Sequence, residues 1–197
     1  MSAAYVLPES VDDPVVLKRV RDRLPLRFRL ADGTECRVEQ LGIDNGDRVS
    51  VVRGWLNDEI DAGTYPQNEP YESNDSFAKY FLSHFAFVLV FDATPAVPRG
   101  AFYCKPNFPG RCSHICNGGF VVAPEQRRRG VGELLAVAFE TLAPLCGYRA
   151  AFFNLVFEDN PTSLRLWQRR GFRQVGCVPR AKFDAQGRGV NAYMMYK

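Results

Sequence analysis

The sequence GFVVAPEQRRRGVG, residues 119–132, combines an apolar strand, a basic turn and the start of a helix. Residues 120–123 are apolar, and Pro124 ends the strand because proline has no N–H to donate to a sheet. Gly130 and Gly132 carry no Cβ, so the backbone of the turn can lie very close to a ligand. N–H groups at the N-terminus of a helix favour an anion, because the helix dipole is positive there. The stretch therefore predicts a binding site for a diphosphate.

The three arginines of the turn, Arg127, Arg128 and Arg129, add positive charge and forked donors for phosphate oxygens. Two common nucleotide motifs do not fit. A Walker loop requires a lysine directly after its second glycine, and the dinucleotide fingerprint requires a third glycine, and neither is present. An alternative without a ligand stays open, in which the glycines serve helix packing and the arginines face solvent.

The turn matches the Gln/Arg-x-x-Gly-x-Gly/Ala pattern of the GCN5-related N-acetyltransferases (GNAT), which bind the diphosphate of acetyl-CoA. A second motif, NPTSLRLWQRRGF at residues 160–172, resembles the family's Asn-x-x-Ser/Ala-x-x-x-Tyr-x-x-x-Gly-Phe. Two motifs in the right order are more specific than either one alone. The resemblance implies acetyl-CoA as the cosubstrate.

The patterns along the chain agree with this fold. Residues 26–30 and 35–41 alternate as a hairpin, and the continuous apolar run 148–157 predicts a central strand. Apolar spacings predict helices, one capped by Asp44 or Asn45 and the next by Ser73 or Asn74. The resemblance implies an α/β GNAT fold, with a mixed, mostly antiparallel sheet of about seven strands and about four flanking helices. We expect a single domain over residues 1–197.

Two neighbouring parallel strands of this fold splay apart, and the pantetheine arm of CoA pairs with the exposed backbone like an added strand. The resemblance places this gap between residues 118–122 and 150–155. Residues 111–122 are expected to form one long strand that leads into the turn.

Several stretches are similar to one branch, the fungal azetidine-2-carboxylate (proline-analogue) N-acetyltransferases. They are TYPQ at 64–67, FY at 102–103, KPN at 105–107, RCSHICNGGF at 111–120 and FNLVF at 153–157. The acceptor in that branch is a small cyclic imino acid, such as azetidine-2-carboxylate, a hydroxyproline or pyrroline-5-carboxylate. Direct transfer in a ternary complex is implied. An acetyltransferase for another small amine or a protein N-terminus, and a non-catalytic CoA-binding module, remain the alternatives.

The resemblance also implies the site residues. Asn117 and Asn154 are the predicted catalytic residues, and they bind the substrate together with Leu155 and Phe120. The predicted cofactor-binding residues are Val121, Val122, Arg127, Arg128, Arg129, Gly130, Val131, Gly132, Asn160 and Trp167.

Amide side chains suit such an acceptor, because they donate and accept hydrogen bonds without adding charge. No Asp or Glu occurs from residue 111 to 122, and a carboxylate there would repel the carboxylate of the substrate. Structural alternatives exist for each amide: Asn154 on a backbone bulge, Asn117 as a solvated strand residue, and Asn160 as a helix N-cap.

Catalysis requires a neutral attacking amine and a stabilised leaving thiolate. Trp167 stands where the family has a tyrosine acid, and an indole cannot donate the proton, so a tyrosine acid at this position is in doubt. We expect positioning, and a backbone N–H near Val121 or Val122 that polarises the thioester carbonyl. His114 is the rival general base.

A metal site is not expected. Cys112, His114 and Cys116 alternate along the predicted strand, but only Cys104 could join them, and no further pair completes four ligands.

Composition bounds the remaining possibilities. The chain of 197 residues is 46% hydrophobic and 24% charged, with a net charge of +3, so nucleic-acid binding is not required. No apolar run is long enough for a membrane span, and residues 1–14 lack the features of a targeting signal. Six cysteines without a dense framework fit reduced thiols. We expect a cytoplasmic protein, with mitochondria as an alternative, and the resemblance suggests a homodimer.

Overall fold

The computed structural model describes residues 13–197, so most of the segment predicted to lack a targeting signal lies outside the described part. The described part contains five α-helices and eight strands. The helices are α1 (Pro14–Arg23), α2 (Gly46–Asp61), α3 (Asn74–Phe81), α4 (Val131–Leu145) and α5 (Pro161–Arg169). The strands are β1 (Leu26–Arg29), β2 (Glu35–Gln40), β3 (Phe85–Phe91), β4 (Thr94–Pro106), β5 (Ile115–Val122), β6 (Ala150–Phe157), β7 (Arg173–Phe183) and β8 (Gly189–Tyr196).

The strands form one mixed sheet in the order β1-β2-β3-β4-β5-β6-β8-β7. Every neighbouring pair is antiparallel except β5 and β6, which are parallel. The described residues thus contain one strand and one helix more than expected, and the predicted α/β fold with a central parallel pair is confirmed.

Local sequence signals place several helix starts. The Asp13 carboxylate accepts from the Val15 N–H at 2.9 Å and begins α1. Ser73 and Ser76 form a reciprocal capping box at the start of α3. Asn45 precedes α2 without a side-chain cap. The predicted cap at Ser73 is present, whereas Asn45 does not make the side-chain cap predicted for α2.

The predicted long strand over residues 111–122 is wrong at its beginning. Gly110–Cys112 forms a 3₁₀ turn instead, and Gly110 has a φ of +57°, which lies outside the β region. The strand starts only at Ile115, so Cys112 and His114 do not alternate with Cys116 along one strand. The spacing argument for a zinc site therefore does not apply.

Helices cover both faces of the sheet and bury two separate clusters. Helices α1, α4 and α5 cover one face, where Phe102, Phe139 and Phe153 form the centre of the cluster. Helices α2 and α3 cover the other face, where Phe77 and Tyr103 lie in the second cluster. No helix between residues 13 and 197 is both long and apolar enough to cross a membrane.

Candidate active site

The parallel strands β5 and β6 separate soon after they meet. They pair only at Ile115 with Ala150 and at Cys116 with Ala151. From residue 117 onward β5 continues for six residues, about 20 Å at the rise of a strand, without pairing to β6. The predicted splay is confirmed, and its closed end lies directly before Asn117.

The hydrogen bonds of β4 show which backbone groups of β5 face this gap. Asn107 N–H donates to the Ile115 carbonyl at 2.8 Å, and Ala123 N–H donates to the Arg99 carbonyl at 3.1 Å. Because hydrogen-bonded pairs alternate in an antiparallel ladder, the odd residues of β5 bond to β4 and the even ones face the gap.

This alternation corrects one predicted residue. Val121 bonds to β4 through its backbone, and its side chain is buried in the core under α2 and α3. It has no group to offer in the gap. The backbone N–H of the neighbouring Val122 does face the gap. Of the two residues predicted to polarise the thioester carbonyl, only Val122 therefore directs its N–H into the gap.

The turn after β5 presents a run of backbone donors. A 3₁₀ turn, Pro124–Gln126, leads into the loop, where Arg128 has a φ of +62° and Gly130 a φ of +92°. Leu134 N–H bonds to the Gly130 carbonyl at 3.1 Å, whereas the N–H groups of residues 128–133 donate to no acceptor within residues 13–197. Consecutive free N–H groups at the N-terminus of α4 fit the diphosphate of CoA.

Two of the three arginines are held by carboxylates. Arg127 pairs with Glu59 at the end of α2, and Glu59 also accepts from the Thr64 hydroxyl. Arg129 donates to Asp32 at 2.7 Å. Hydrogen bonds from Thr34 and then Arg129 hold the pKa of Asp32 well below its usual range. These ion pairs anchor the loop to α2 and to the β1–β2 hairpin.

Asn154 has a partner that sequence reasoning missed. Its side-chain Nδ2 donates to the Asn107 Oδ1 at 2.6 Å, and the Asn107 Nδ2 donates back to the Asn154 Oδ1 at 3.0 Å. The pairing of β6 with β8 shifts register between Phe153 and Val156, so a bulge is present as well. The sequence pointed to Asn107 only through the resemblance of its KPN stretch to the family branch.

Asn117 is the first residue of β5 beyond the closed end of the gap. Its Oδ1 accepts from the Gly118 N–H at 2.8 Å, and its opposite neighbour on β4 is Lys105. Directly opposite residues of an antiparallel pair have side chains on the same face. Asn160 accepts from the Ser163 N–H at 3.1 Å and therefore caps α5, while its predicted contact with CoA stays a prediction.

A tyrosine–lysine cluster, made of Tyr65, Tyr80, Tyr103 and Lys105, lies on the α2–α3 side of the gap. Tyr65 OH donates to the Phe120 carbonyl at 3.2 Å, and the hydroxyls of Tyr80 and Tyr103 are 2.9 Å apart. Lys105 Nζ is 3.8 Å from the ring centre of Tyr80 and 4.4 Å from that of Tyr103. Burial raises the pKa of Tyr65 and of Tyr103 well above the usual range. The resemblance of the TYPQ, FY and KPN stretches covers Tyr65, Tyr103 and Lys105, but not Tyr80.

Trp167 lies in the core, with 4% of its surface exposed. Its ring centre is 4.8 Å from that of Phe120 and 4.5 Å from that of Phe153. A contact of the indole with the cofactor stays a prediction, as does the substrate contact of Phe120, which is half-buried. Leu155 is 42% exposed.

His114 precedes the closed end of the gap, on the side away from the free strand segments. Its ring is exposed, and its Nδ1 lies 3.2 Å from the Arg111 carbonyl. This position argues against His114 as the general base. Among residues 13–197 no group of three or more His, Cys, Asp or Glu side chains is arranged to hold a metal ion.

Lys105 is expected to destabilise the fold near neutral pH. Burial lowers the pKa of Lys105 to about 8, from 10.5 in the unfolded chain. Stability therefore falls as the pH drops from about 10.5 through about 8, and the loss is complete below pH 8. We expect Lys105→Met to raise the free energy of unfolding at pH 7 by about 1–2 kcal/mol, after allowance for lost contacts with the tyrosine rings.

Urea unfolding of both proteins at pH 7 and pH 10 measures this effect. The stability gain should shrink at pH 10, where the wild-type lysine is mostly neutral. A gain that is the same at both pH values, or a loss at pH 7, would contradict a desolvated Lys105.

Comparison with known proteins agrees with this geometry. The model of the acetyltransferase (GNAT) family matches residues 53–172. N-acetyltransferase aca1 of Schizosaccharomyces pombe is 40% identical over 147 residues, which cover 66% of this chain and 69% of that protein. A GCN5-related N-acetyltransferase from Kribbella flavida superposes with a TM-score of 0.74 at 25% identity, over 82% of this chain and 96% of that one.

A third structure, yncA of Salmonella typhimurium with its cofactor acetyl-CoA, superposes with a TM-score of 0.70 at 15% identity, over 82% of this chain and 92% of that one. This likeness concerns the fold.

The splayed strands, the donor-rich loop and the family match define the class of the protein: the chain belongs to the acetyltransferase (GNAT) family. It is an N-acetyltransferase that uses acetyl-CoA as its cosubstrate.

Proposed function

We propose that the protein transfers the acetyl group of acetyl-CoA to the nitrogen of a small cyclic imino acid, of the azetidine-2-carboxylate, hydroxyproline or pyrroline-5-carboxylate type. The observation that carries the proposal is the polar strip on the α2–α3 face at the closed end of the gap. Asn117 and Lys105 are opposite each other on this face, and Asn154 is linked to Asn107 across it.

Acetyl-CoA supplies an activated acetyl group as a thioester. The N–H groups of residues 128–133 and the side chain of Arg128 are the residues that would hold its diphosphate, with Arg127 and Arg129 beside them. The Val122 N–H faces the gap and would stabilise negative charge on the thioester oxygen.

The acceptor amine must lose a proton before it attacks. Enclosure among Tyr65, Tyr80 and Tyr103 lowers the pKa of a bound amine, because burial disfavours the charged form. The side-chain amides of Asn117 and Asn154 would orient the nitrogen and the carboxylate without adding a charge that repels either group. In this mechanism, catalysis depends mainly on positioning.

Release of free thiol from acetyl-CoA in the presence of azetidine-2-carboxylate tests the proposal. We expect Asn117→Ala and Asn154→Ala each to lower kcat/KM for the acceptor by about 10- to 100-fold, the effect of losing a hydrogen bond to a charged group. The KM for acetyl-CoA should change little.

Asn45→Ala is the matched control. Asn45 lies at the start of α2, about 21 Å along the helix from Glu59, which pairs with Arg127, and this variant should keep full activity. Thiol release with peptides or primary amines but with no imino acid would favour the other acetyltransferases. Tight CoA binding without turnover of any amine would favour a binding module.

The homodimer and the cytoplasmic location, with mitochondria as the alternative, stay predictions.

A further inference from the structure

Lys105 lies on the α2–α3 face at the closed end of the gap, where the acceptor is proposed to bind. It lacks the ionic partner that a buried lysine usually has. We propose that its ammonium group binds the carboxylate of the acceptor and makes the enzyme specific for amino or imino acids with a free carboxylate. The inference rests on the proposed function and adds the residue that selects the charge of the substrate.

Lys105 lies beside the residues proposed to hold the acceptor. Lys105 is paired in register with Asn117, and Tyr103 with Gly119, so Lys105, Asn117 and Tyr103 share one face of the sheet. A Cβ on Gly119 would lie 2.3 Å from Tyr103 Cε1, which shows how closely the tyrosine covers that strand. The ammonium group thus lies next to the first residue beyond the closed end of the gap.

The ammonium group of Lys105 is surrounded by tyrosine rings and one carbonyl. Of its three N–H donors, one is directed to the Tyr80 carbonyl at 3.1 Å, and the rings of Tyr80 and Tyr103 lie on its other sides. No carboxylate of the described chain pairs with it, and desolvation is the one cause of its lowered pKa. A buried cation with unused donors is electrostatically complementary to an anion.

The charge of Lys105 would also discriminate between acceptors. An acceptor with a carboxylate would neutralise Lys105 on binding. A polyamine or a lysine side chain would bring a second positive charge into the same partly desolvated space, where like charges repel strongly. The half-buried His84 is the other titratable base near Lys105, and its pKa is lowered by burial first and by the charge of Lys105 second. The cluster therefore disfavours cationic acceptors that lack a carboxylate.

Paired acceptors test the inference with the whole protein. Initial rates are measured for azetidine-2-carboxylate and azetidine-2-carboxamide on the wild type, Lys105→Met and Lys105→Arg. We expect Lys105→Met to lower kcat/KM for the carboxylate by about 30- to 100-fold and to leave kcat/KM for the carboxamide unchanged or higher, with partial recovery of the carboxylate reaction in Lys105→Arg. Equal losses on both acceptors would overturn the inference while the proposed function stood.

A second measurement does not depend on turnover. Carbon NMR of protein with ¹³Cε-labelled lysine follows the titration of Lys105, which is assigned from the signal missing in Lys105→Met, with the exposed Lys79 as an internal standard. Azetidine-2-carboxylate should raise the titration midpoint of Lys105 and leave that of Lys79 unchanged, whereas the carboxamide should not raise the midpoint of Lys105.

If the wild type acetylates no imino acid, the proposed function fails. The same NMR titration with acetate, glycine and proline then still shows whether Lys105 binds a carboxylate. A midpoint that none of these carboxylates raises would overturn the inference.

Discussion

Gly132→Asp is expected to weaken acetyl-CoA binding by about 100-fold or more, because two unit charges about 4 Å apart near a protein surface interact by about 4 kcal/mol. Gly132 is the second residue of α4, directly after the loop whose N–H groups lack acceptors. A carboxylate at this position would repel the diphosphate.

The same substitution should leave the fold intact. A Cβ on Gly132 would meet only Val122 Cγ2, at 3.8 Å, which is an ordinary contact. An acidic residue in the first turn of a helix also favours the helix dipole. Stability and affinity are therefore expected to separate, with an unchanged or slightly higher free energy of unfolding.

Gly46→Asp is the matched control. Gly46 is the first residue of α2, is partly buried like Gly132, and has no atom within 4 Å of an added Cβ. Calorimetric titration with CoA should give wild-type affinity for this variant. Wild-type affinity for Gly132→Asp would instead show that the diphosphate binds elsewhere.

Trp167→Ala is expected to lower the free energy of unfolding by about 3–5 kcal/mol, the range for truncation of a large buried aromatic residue. The indole is 4% exposed and contacts the rings of Phe120, Phe139, Phe153 and Phe172. Its loss leaves a cavity beneath the gap. Trp55→Ala is the control, because Trp55 is only partly buried and packs on the opposite face of the sheet. In urea unfolding, Trp55→Ala should lose less of the free energy of unfolding than Trp167→Ala.

Trp167→Tyr asks whether the family's tyrosine acid can be restored. The phenol would lie in an aromatic core, where an unpaired hydroxyl costs about 1–3 kcal/mol. We expect lower stability and no rise in kcat. A rise in kcat would contradict the core assignment and would place the hydroxyl within reach of the leaving thiolate.

The parts of the site that the sequence predicted are those determined by adjacent residues. The loop at residues 127–132 is one such part, because the glycines and arginines that shape it are consecutive. The helix starts at Ser73 and Asn160 are others, because a cap depends on the next few residues.

The missed features depend on distant residues. Asn107 and Asn154 are 47 positions apart, so nothing local to either one indicates their pairing. A lysine in a strand is normally exposed, and Lys105 is covered because α3 brings Tyr80 over it. The predicted start of β5 was wrong because Gly110 takes a left-handed backbone conformation, which the alternating sequence pattern does not reveal.

Glu59 contacts both halves of the site. Its carboxylate pairs with Arg127 of the loop at residues 127–132. It also accepts a hydrogen bond from the hydroxyl of Thr64, one residue before Tyr65. A phosphate that attracts Arg127 competes with Glu59 and so changes the charge felt at Thr64. We therefore expect phosphate binding at Arg127 to weaken its ion pair with Glu59, and so to loosen the link between this loop and the segment that carries Tyr65.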